Sequence, residues 1–322
     1  MKFDKDALKL DCAEVVDSLG AVVLKQIRDD LKKTGAVIGI SGGIDSSVCA
    51  ALCSRILGPK KVLGVMMPET DSSPESRELA EKLAAEFGFE TTVENISEGL
   101  AGLGCYTRRN EAIRSVFPKF NPDWKCKITI SGSITDSKAY NFFNLAVTDP
   151  DGNTMTERMP LAAYLQVVAA SNLKQRLRMS VLYYHGERRN WAVVGTGNKD
   201  EHMQGFFVKY GDGGADLKPI AHLYKVQVYQ LAEYLGVPDD IIGRTPTTDT
   251  YSDDVTQEEF FFGLDFYNMD MIWHAMENDV PAAEVAPVLG LSEEQVERAM
   301  AGIRRKIIAT EYLRMPPLEV EP

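Results

Sequence analysis

The chain begins with hydrophobic residues at helical spacing and continues with short apolar runs that suit buried strands. Over residues 6–31, hydrophobic positions recur about every three or four residues, which predicts an amphipathic helix. GAVIGI at residues 35–40 is a β-branched run that predicts a buried parallel strand, and SSVCAALCSRIL at residues 46–57 predicts a helix. The pattern therefore opens with a strand, a loop and a helix.

The same alternation continues along the chain. KVLGVMM at residues 61–67 predicts a second strand, residues 73–88 predict a helix with an early proline and a final glycine, and FETTVEN at residues 89–95 predicts a third strand. Strands that alternate with helices pair in parallel through right-handed crossovers. We therefore expect an α/β fold with a doubly wound, mostly parallel, Rossmann-like sheet.

The alternation is interrupted at residues 104–160. KITISGSITDS at residues 127–137 alternates apolar and polar positions, and NFFNLAV at residues 141–147 precedes the turn residues DPDG. This pattern predicts a β-hairpin-like insertion, with a partly mobile flap as an equal alternative. After it, the pattern predicts a helix from about Leu161 to His185 and a strand at residues 191–196.

The C-terminal part is predicted to be helical. EVAPVLGLSEEQVERAMAGIRRK at residues 284–306 predicts two helices joined by a short turn, a pattern also typical of DNA-reading helix-turn-helix motifs. Glu293, Glu294 and Glu297 would repel a phosphate backbone, so a structural helical hairpin is favoured. We expect residues 1–245 to form the main domain, with residues 246–322 as a helical extension packed on it.

Composition narrows the class of protein. The 322 residues are 44% hydrophobic, which is enough for a core, and the net charge of −12 disfavours binding to nucleic acid. The five cysteines contain no CxxC pair and suggest neither a zinc site nor a disulfide framework. Because no stretch resembles a signal or a membrane span, we expect a cytoplasmic protein that does not bind membranes.

The loop SGGIDSS, residues 41–47, follows the first predicted strand, where ligands bind in such sheets. Gly42 and Gly43 would let backbone N–H groups approach an anion, and the next helix directs its positive end to the same place. Asp45 would bind a Mg²⁺ that bridges phosphates. A turn with a helix cap fits the same geometry. Four oxygen-bearing side chains, one before and three after two adjacent glycines, favour a pyrophosphate site. The missing Walker lysine argues against γ-phosphate transfer.

A second polar segment lies at residues 195–225, GTGNKDEHMQGFFVKYGDGGADLKPIAHLYK. It places Glu201, Lys209, Asp212 and Lys225 around glycine-rich backbone, which is typical of a ligand that approaches the main chain. A loop of solvated charges would explain any one of these residues more easily than all four. The segment is therefore a second candidate part of the site.

These segments resemble known proteins. SGGIDSS resembles the SGGxDS loop of the PP-loop ATP pyrophosphatases, which split ATP between its α and β phosphates. Residues 195–225 resemble the signature of the NAD synthetase family. With PETDSSPES at residues 68–76 and NLKQRLRM at residues 172–179, the resemblance covers most of residues 1–245.

The resemblance implies roles for individual residues. It implies metal ligands at Asp45 and Glu201, and catalytic roles for Asp212 and Lys209 beside the reacting carboxylate. Implied ATP-binding residues are Ser41, Gly42, Gly43, Asp45, Ser46, Ser47, Thr196, Lys225 and Thr247. Implied substrate-binding residues are Asn172, Arg176, Arg178, Lys209, Asp212 and Asp216.

The resemblance also implies a reaction. ATP would adenylate the carboxylate of nicotinic acid adenine dinucleotide with the help of Mg²⁺, and ammonia would then displace AMP to give NAD, which makes the protein a ligase. Because no glutaminase domain is recognised, free ammonia or a separate glutaminase would supply the nitrogen. The family is typically a homodimer whose substrate site spans both subunits.

Three departures from the family pattern leave alternatives open. The insertion at residues 104–160 is longer than the family's loop, SDDVTQEEFFFG at residues 252–263 departs from the family's acidic segment, and Leu313 replaces an expected lysine. A ligase for a different carboxylate is therefore one alternative. A non-catalytic nucleotide-binding regulator is another, although the pair of Asp45 and Glu201 disfavours it.

Overall fold

The computed structural model of the protein describes residues 3–130, 143–247, 252–253 and 256–320. The strands are β1 (Ala36–Gly39), β2 (Val62–Met66), β3 (Glu90–Val93), β4 (Lys125–Ile130), β5 (Phe143–Thr148), β6 (Thr154–Arg158) and β7 (Ala192–Val194). The helices are α1 (Cys12–Lys25), α2 (Ile44–Leu57), α3 (Pro74–Phe87), α4 (Ser97–Gly102), α5 (Cys105–Arg114), α6 (Leu161–Arg189), α7 (Lys199–Gln204), α8 (Lys225–Leu235), α9 (Asp239–Ile242), α10 (Phe266–Glu277), α11 (Ala282–Leu289), α12 (Glu293–Ala309) and α13 (Glu311–Arg314). No helix in these ranges is both long enough and apolar enough to traverse a bilayer.

The central sheet has the strand order β3-β2-β1-β7, and every neighbouring pair is parallel. In β1, Val37 pairs with Leu63 of β2 and with Val193 of β7. Short β-branched strands of this kind are buried on both faces in parallel sheets. The α/β fold predicted from the alternation of strands and helices is therefore confirmed.

The two faces of the sheet are covered by different helices. Ile38 belongs to the large core that also contains side chains of α1, α2, α3 and α8. Val37, Leu63 and Val65 point to the opposite face, where they pack against Leu182 of α6. Successive side chains of a strand alternate between faces, so this division follows directly from the sequence.

The first helix is shorter than predicted because its cap decides where it begins. The Asp11 side chain accepts a hydrogen bond from the Glu14 backbone N–H over 3.1 Å, so α1 begins at Cys12 rather than near residue 6. A wider helical turn, Gln26–Asp30, follows α1. Most of the residues 6–31 are nevertheless helical.

The insertion is larger than a hairpin. The strands β4, β5 and β6 form a separate antiparallel sheet in that order, and α5 precedes it. Residues 131–142, where part of the hairpin was predicted, lie outside the described residues. The hydrophobic pattern did not reveal α5 because its buried face carries Arg109 and Asn110 as well as apolar residues.

The helical C-terminal region agrees with the prediction. Helices α11 and α12 follow one another across a short turn and pack with α10 around a second core that also contains Phe3 and Leu8. Helix α12 also contacts α7, which follows β7. The division into residues 1–245 and 246–322 stays a prediction.

Candidate active site

The SGGIDSS loop is preformed at the carboxyl end of β1. Gly42 has a φ of 74°, and a Cβ at this position would lie 2.7 Å from the Ser76 carbonyl oxygen. The hydroxyl groups of Ser46 and Ser47 donate to the Gly43 carbonyl oxygen over 3.0 and 2.9 Å. No side chain of the described residues caps α2 at Gly43, so the N–H groups of its first turn face the cavity free for an anion.

Asp45 is held from two sides. The Asn198 amide nitrogen Nδ2 donates to Asp45 Oδ1 over 2.9 Å, and Lys225 Nζ donates to Asp45 Oδ2. The Lys225 side chain is fully buried. Burial alone would lower its pKa, but the charges of Asp45 and Glu201 raise the pKa of Lys225 above its usual value. Lys225 is therefore a permanent positive charge beside the loop.

Glu201 is fixed by a reciprocal cap at the start of α7. Asn198 Oδ1 accepts from the Glu201 N–H over 3.0 Å, and Glu201 Oε2 accepts from the Asn198 N–H over 3.2 Å. Gln257 Nε2 donates to the other carboxylate oxygen, Oε1, over 3.3 Å. Enclosure by the protein, and then the Asp45 charge, raise the pKa of Glu201 to about 8. The sequence pattern singles out neither Asn198 nor Gln257.

The two carboxylates fit a Mg²⁺ ion. Mg²⁺ is usually bound by one or two carboxylates, with substrate phosphates and water completing the octahedron. Among the described residues, no group of three histidine, cysteine or acidic side chains that could hold a metal was found. Burial and the charge of Asp45 both disfavour the ionised form of Glu201, and a divalent cation held by the two carboxylates would offset this cost.

A cavity of about 620 Å³ joins the predicted segments. This volume is in the range of sites for small molecules and cofactors. Predicted residues that line it are Ser41, Gly43, Asp45, Ser46, Asn172, Arg178, Thr196, Glu201, Asp212, Lys225 and Thr247. Segments up to about two hundred residues apart in the sequence thus meet at one place beyond the carboxyl ends of β1 and β7.

Five predicted residues lie outside the cavity lining: Gly42, Ser47, Arg176, Lys209 and Asp216. Gly42 and Ser47 stabilise the conformation of the loop, Gly42 through its positive φ and Ser47 through its hydrogen bond to the Gly43 carbonyl oxygen. Asp216 accepts hydrogen bonds from the Tyr183 hydroxyl over 3.2 Å and the Val193 N–H over 2.8 Å, so it ties α6 to β7. Arg176 is exposed on α6. The roles assigned to these residues stay predictions.

Lys209 holds the C-terminal segment. Its Nζ donates to the carbonyl oxygens of Tyr312 and Met315 over 3.0 and 2.9 Å. Arg314 donates to the Met203 carbonyl oxygen over 2.7 Å, so the same segment is also tied to α7. Tyr312 and Leu313 line the cavity as a result.

His202 lines the cavity as a neutral ring. It stacks on Phe207, with ring centroids 5.7 Å apart and an interplanar angle of 27°. Burial, and then the charges of Lys218 and Arg314, lower the pKa of His202 to about 4. His202 is therefore uncharged at neutral pH, and it was not predicted to be catalytic.

Comparison with known proteins gives a consistent family. The model of the family described as NAD synthase matches residues 15–115 and 144–317. The chain is 48% identical over 317 residues to an NH(3)-dependent NAD(+) synthetase of Rhizobium rhizogenes, covering 98% of this chain and 95% of the relative. It is 31% identical over 271 residues to the protein of the same name from Thermotoga neapolitana, covering 84% and 87%.

Solved structures share the fold. The NH3-dependent NAD synthetase of Campylobacter jejuni has a TM-score of 0.61 at 21% identity, covering 97% of this chain and 100% of that chain. An NMN synthetase of Francisella tularensis has a TM-score of 0.62 at 22% identity, covering 97% and 99%. At this identity both similarities concern the fold alone.

Proposed function

The chain belongs to the NAD synthase family, and we propose that it catalyses the ATP-dependent amidation of nicotinic acid adenine dinucleotide by ammonia, which yields NAD, AMP and pyrophosphate. The observation that carries this proposal is the 48% identity over nearly the whole length to NH(3)-dependent NAD(+) synthetases. The hydrogen bond between Asn198 and Asp45 supports it, because it joins the two signature segments in one cavity.

We propose that ATP binds with its phosphates on the SGGIDSS loop. The free N–H groups at the start of α2 and the Lys225 ammonium would stabilise the pyrophosphate as it leaves. Asp45 and Glu201 would hold Mg²⁺, which when bound neutralises charge on the phosphates. Arg244 also lines the cavity and donates to Ser76 over 3.1 Å, which places a further positive charge near the loop.

The second half of the reaction would take place near Asp212. One carboxylate oxygen, Oδ1, accepts the Val208 N–H over 2.8 Å, which fixes the side chain at the edge of the cavity. We propose that this carboxylate binds ammonium and accepts its proton, so that ammonia attacks the adenylated carboxyl carbon and AMP departs. Lys209 would act indirectly, since it holds the C-terminal segment over the cavity.

We propose a homodimer that forms along α6. Leu161, Leu165 and Tyr184 are exposed on this helix, by 72, 55 and 61%. Large apolar side chains exposed on a long helix are candidates for a contact surface between subunits. Arg176 is exposed on the same helix and outside the cavity of its own chain, so in a dimer it would reach the partner's substrate.

The nitrogen source and compartment are also proposals. The similar proteins are named NH(3)-dependent, which supports free ammonia or ammonia from a separate glutaminase. All five cysteines are free thiols, which fits the reducing cytoplasm.

One assay tests the activity. Purified protein is incubated with ATP, Mg²⁺, ammonium chloride and nicotinic acid adenine dinucleotide, and NAD and AMP are quantified together. We expect equal amounts of the two products. A second incubation replaces the dinucleotide with another acid, such as nicotinic acid mononucleotide. If ATP is split only with this acid, and no NAD forms from the dinucleotide, the protein amidates a different carboxylate and the proposed substrate is wrong.

A further inference from the structure

Among the described residues, one lysine that lines the cavity, Lys218, makes neither a hydrogen bond nor an ion pair through its ammonium. In the part of the chain that the structure describes, five lysine or arginine side chains line the cavity: Arg77, Arg178, Lys218, Lys225 and Arg244. Four of them donate hydrogen bonds to protein groups, namely to Glu81, Gln175, Asp45 and Ser76. Within the described residues, Lys218 has no hydrogen-bond acceptor for its ammonium and no ion pair.

Lys218 is held at the end of β7. Leu217 pairs with Val194 in an isolated parallel bridge, and its carbonyl oxygen accepts the Gly195 N–H over 2.9 Å. The stem of Lys218 lies against Gly195, because a Cβ at that glycine would be 3.0 Å from Lys218 Cγ. The backbone therefore directs this side chain towards the cavity.

An aromatic ring and a carboxylate lie near the Lys218 ammonium. Its Nζ lies 5.4 Å from the centre of the Phe207 ring. Burial lowers the pKa of Lys218, an effect that the charge of Asp212 partly offsets. Because burial disfavours the charged form of Lys218, a further negative charge beside it would be stabilising, and an anionic ligand would bind there favourably.

We propose that Lys218 binds the carboxylate of the acid before adenylation and thereby makes the site prefer the acid over its amide. This inference rests on the proposed function. Lys218 shares its surroundings with Asp212, where amide formation is proposed, whereas Lys225 and Arg244 lie beside the phosphate loop. The substrate carries a carboxylate and the product a neutral carboxamide, so Lys218 would attract the first and not the second. Release of the product is then easier.

The test compares binding of the acid and of the amide. Lys218→Met, Lys218→Arg and the exposed control Lys60→Met are titrated calorimetrically with nicotinic acid adenine dinucleotide and, separately, with NAD. Loss of a charge-assisted hydrogen bond should weaken acid binding about tenfold or more. We expect Lys218→Met to bind the acid about tenfold more weakly and to bind NAD with unchanged affinity. KM for the acid should rise, and KM for ATP should stay unchanged. Lys218→Arg should retain the preference.

Other outcomes overturn the inference. If binding of the acid and binding of the amide weaken equally, Lys218 supports the shape of the site and does not recognise the carboxylate. If KM for ATP rises while acid binding is unchanged, Lys218 acts on the nucleotide. If Lys218→Met does not fold, Lys218→Gln is titrated in the same way. A wild-type protein that makes no NAD contradicts the proposed function itself. If the wild-type protein makes NAD but the Lys218 variants bind the acid as tightly as wild type, only this inference is contradicted.

Discussion

Asn198 donates a hydrogen bond to Asp45 over 2.9 Å, although the two residues are 153 positions apart in the sequence. Asn198 also caps α7 and so sets the position of Glu201. One amide side chain therefore fixes both proposed metal ligands relative to each other. Residues that orient metal ligands in this way commonly change metal affinity or activity by about 10- to 100-fold when replaced.

We expect Asn198→Asp to reduce kcat by about 10- to 100-fold. An aspartate can still cap α7, but it places a carboxylate oxygen against Asp45 where the amide donated a hydrogen bond. The measurement is steady-state NAD formation at several Mg²⁺ concentrations, with circular dichroism as the check on folding. Asn95→Asp, at an exposed position outside the cavity lining, is the control. Wild-type activity in Asn198→Asp would show that this bond does not position the ligands.

Asp45→Asn should abolish turnover and also destabilise the protein. It removes the charge that compensates fully buried Lys225, and breaking a buried ion pair costs about 3–5 kcal/mol. Chemical denaturation of Asp45→Asn, Lys225→Met and the double variant measures the cost. Because the uncompensated charge is gone in the double variant, it should be more stable than Asp45→Asn alone. If the free energy of unfolding of the double variant falls by the sum of the two single decreases, Asp45 and Lys225 are not coupled, which would contradict the prediction.

A buried pair of carboxyl groups predicts a pH dependence of stability. Asp200 and Asp270 are fully buried and interact with each other, and their Oδ2 atoms accept the N–H groups of Lys225 and Val226 over 2.9 Å. Among the described residues, their buried Oδ1 atoms have no hydrogen-bond partner. Burial raises the pKa of Asp200 from 3.8 to about 6 and raises the pKa of Asp270 as well. The folded pair therefore keeps a proton that the unfolded chain has lost.

The proton bound by the folded pair makes the stability of the protein fall as pH rises. Above pH 4 the folded state binds more protons than the unfolded state, so the free energy of unfolding contributed by the pair falls as pH rises from about 4 through about 6. Asp270→Asn supplies an amide donor in place of the proton. We expect it to raise Tm relative to wild type at pH 7.5 and to lose this advantage at pH 4, with Asp17→Asn as the exposed control. A lower Tm at pH 7.5 would contradict a shared proton.

The proposed dimer can be separated from the proposed activity. Leu165 is 55% exposed on α6, and Leu165→Glu should convert a dimer to a monomer in analytical ultracentrifugation and reduce NAD formation. Leu318→Glu, at a position that is 83% exposed near the C-terminus, is the matched control and should do neither. A wild-type protein that sediments as a monomer would contradict the dimer.

Mixing variants tests whether Arg176 serves the partner's substrate. Arg176→Ala and Asp45→Ala should each be inactive, but a mixed dimer would contain one site with both groups intact. Random exchange in an equal mixture should restore about a quarter of wild-type activity, since half of the dimers carry one such site. Failure to restore activity after subunit exchange would place Arg176 in its own chain's site or outside the site altogether.

Much of the fold follows from local sequence patterns. The β-branched runs at β1 and β2 and the alternation with helices determine a parallel sheet, because each strand must bury both faces. The helix α5 escaped prediction because buried Arg109 interrupts its apolar face. The charge of that arginine is compensated by an ion pair with Asp71. The spacing of hydrophobic residues around Arg109 or around Asp71 does not predict this ion pair.

By itself, the sequence predicted the alternation of strands and helices and the glycine-rich loop, since these depend on residue type and short-range spacing. The family resemblance of two sequence segments proposed Asp45 and Glu201 as metal ligands. Tertiary structure alone decided that Asn198 and Gln257 hold those carboxylates, that Lys209 binds the C-terminal segment, and that Lys218 lines the cavity. The physical reason is that each of these contacts depends on how separate segments pack against one another. The position of a side chain between two elements follows from that packing and not from the residues beside it in the chain.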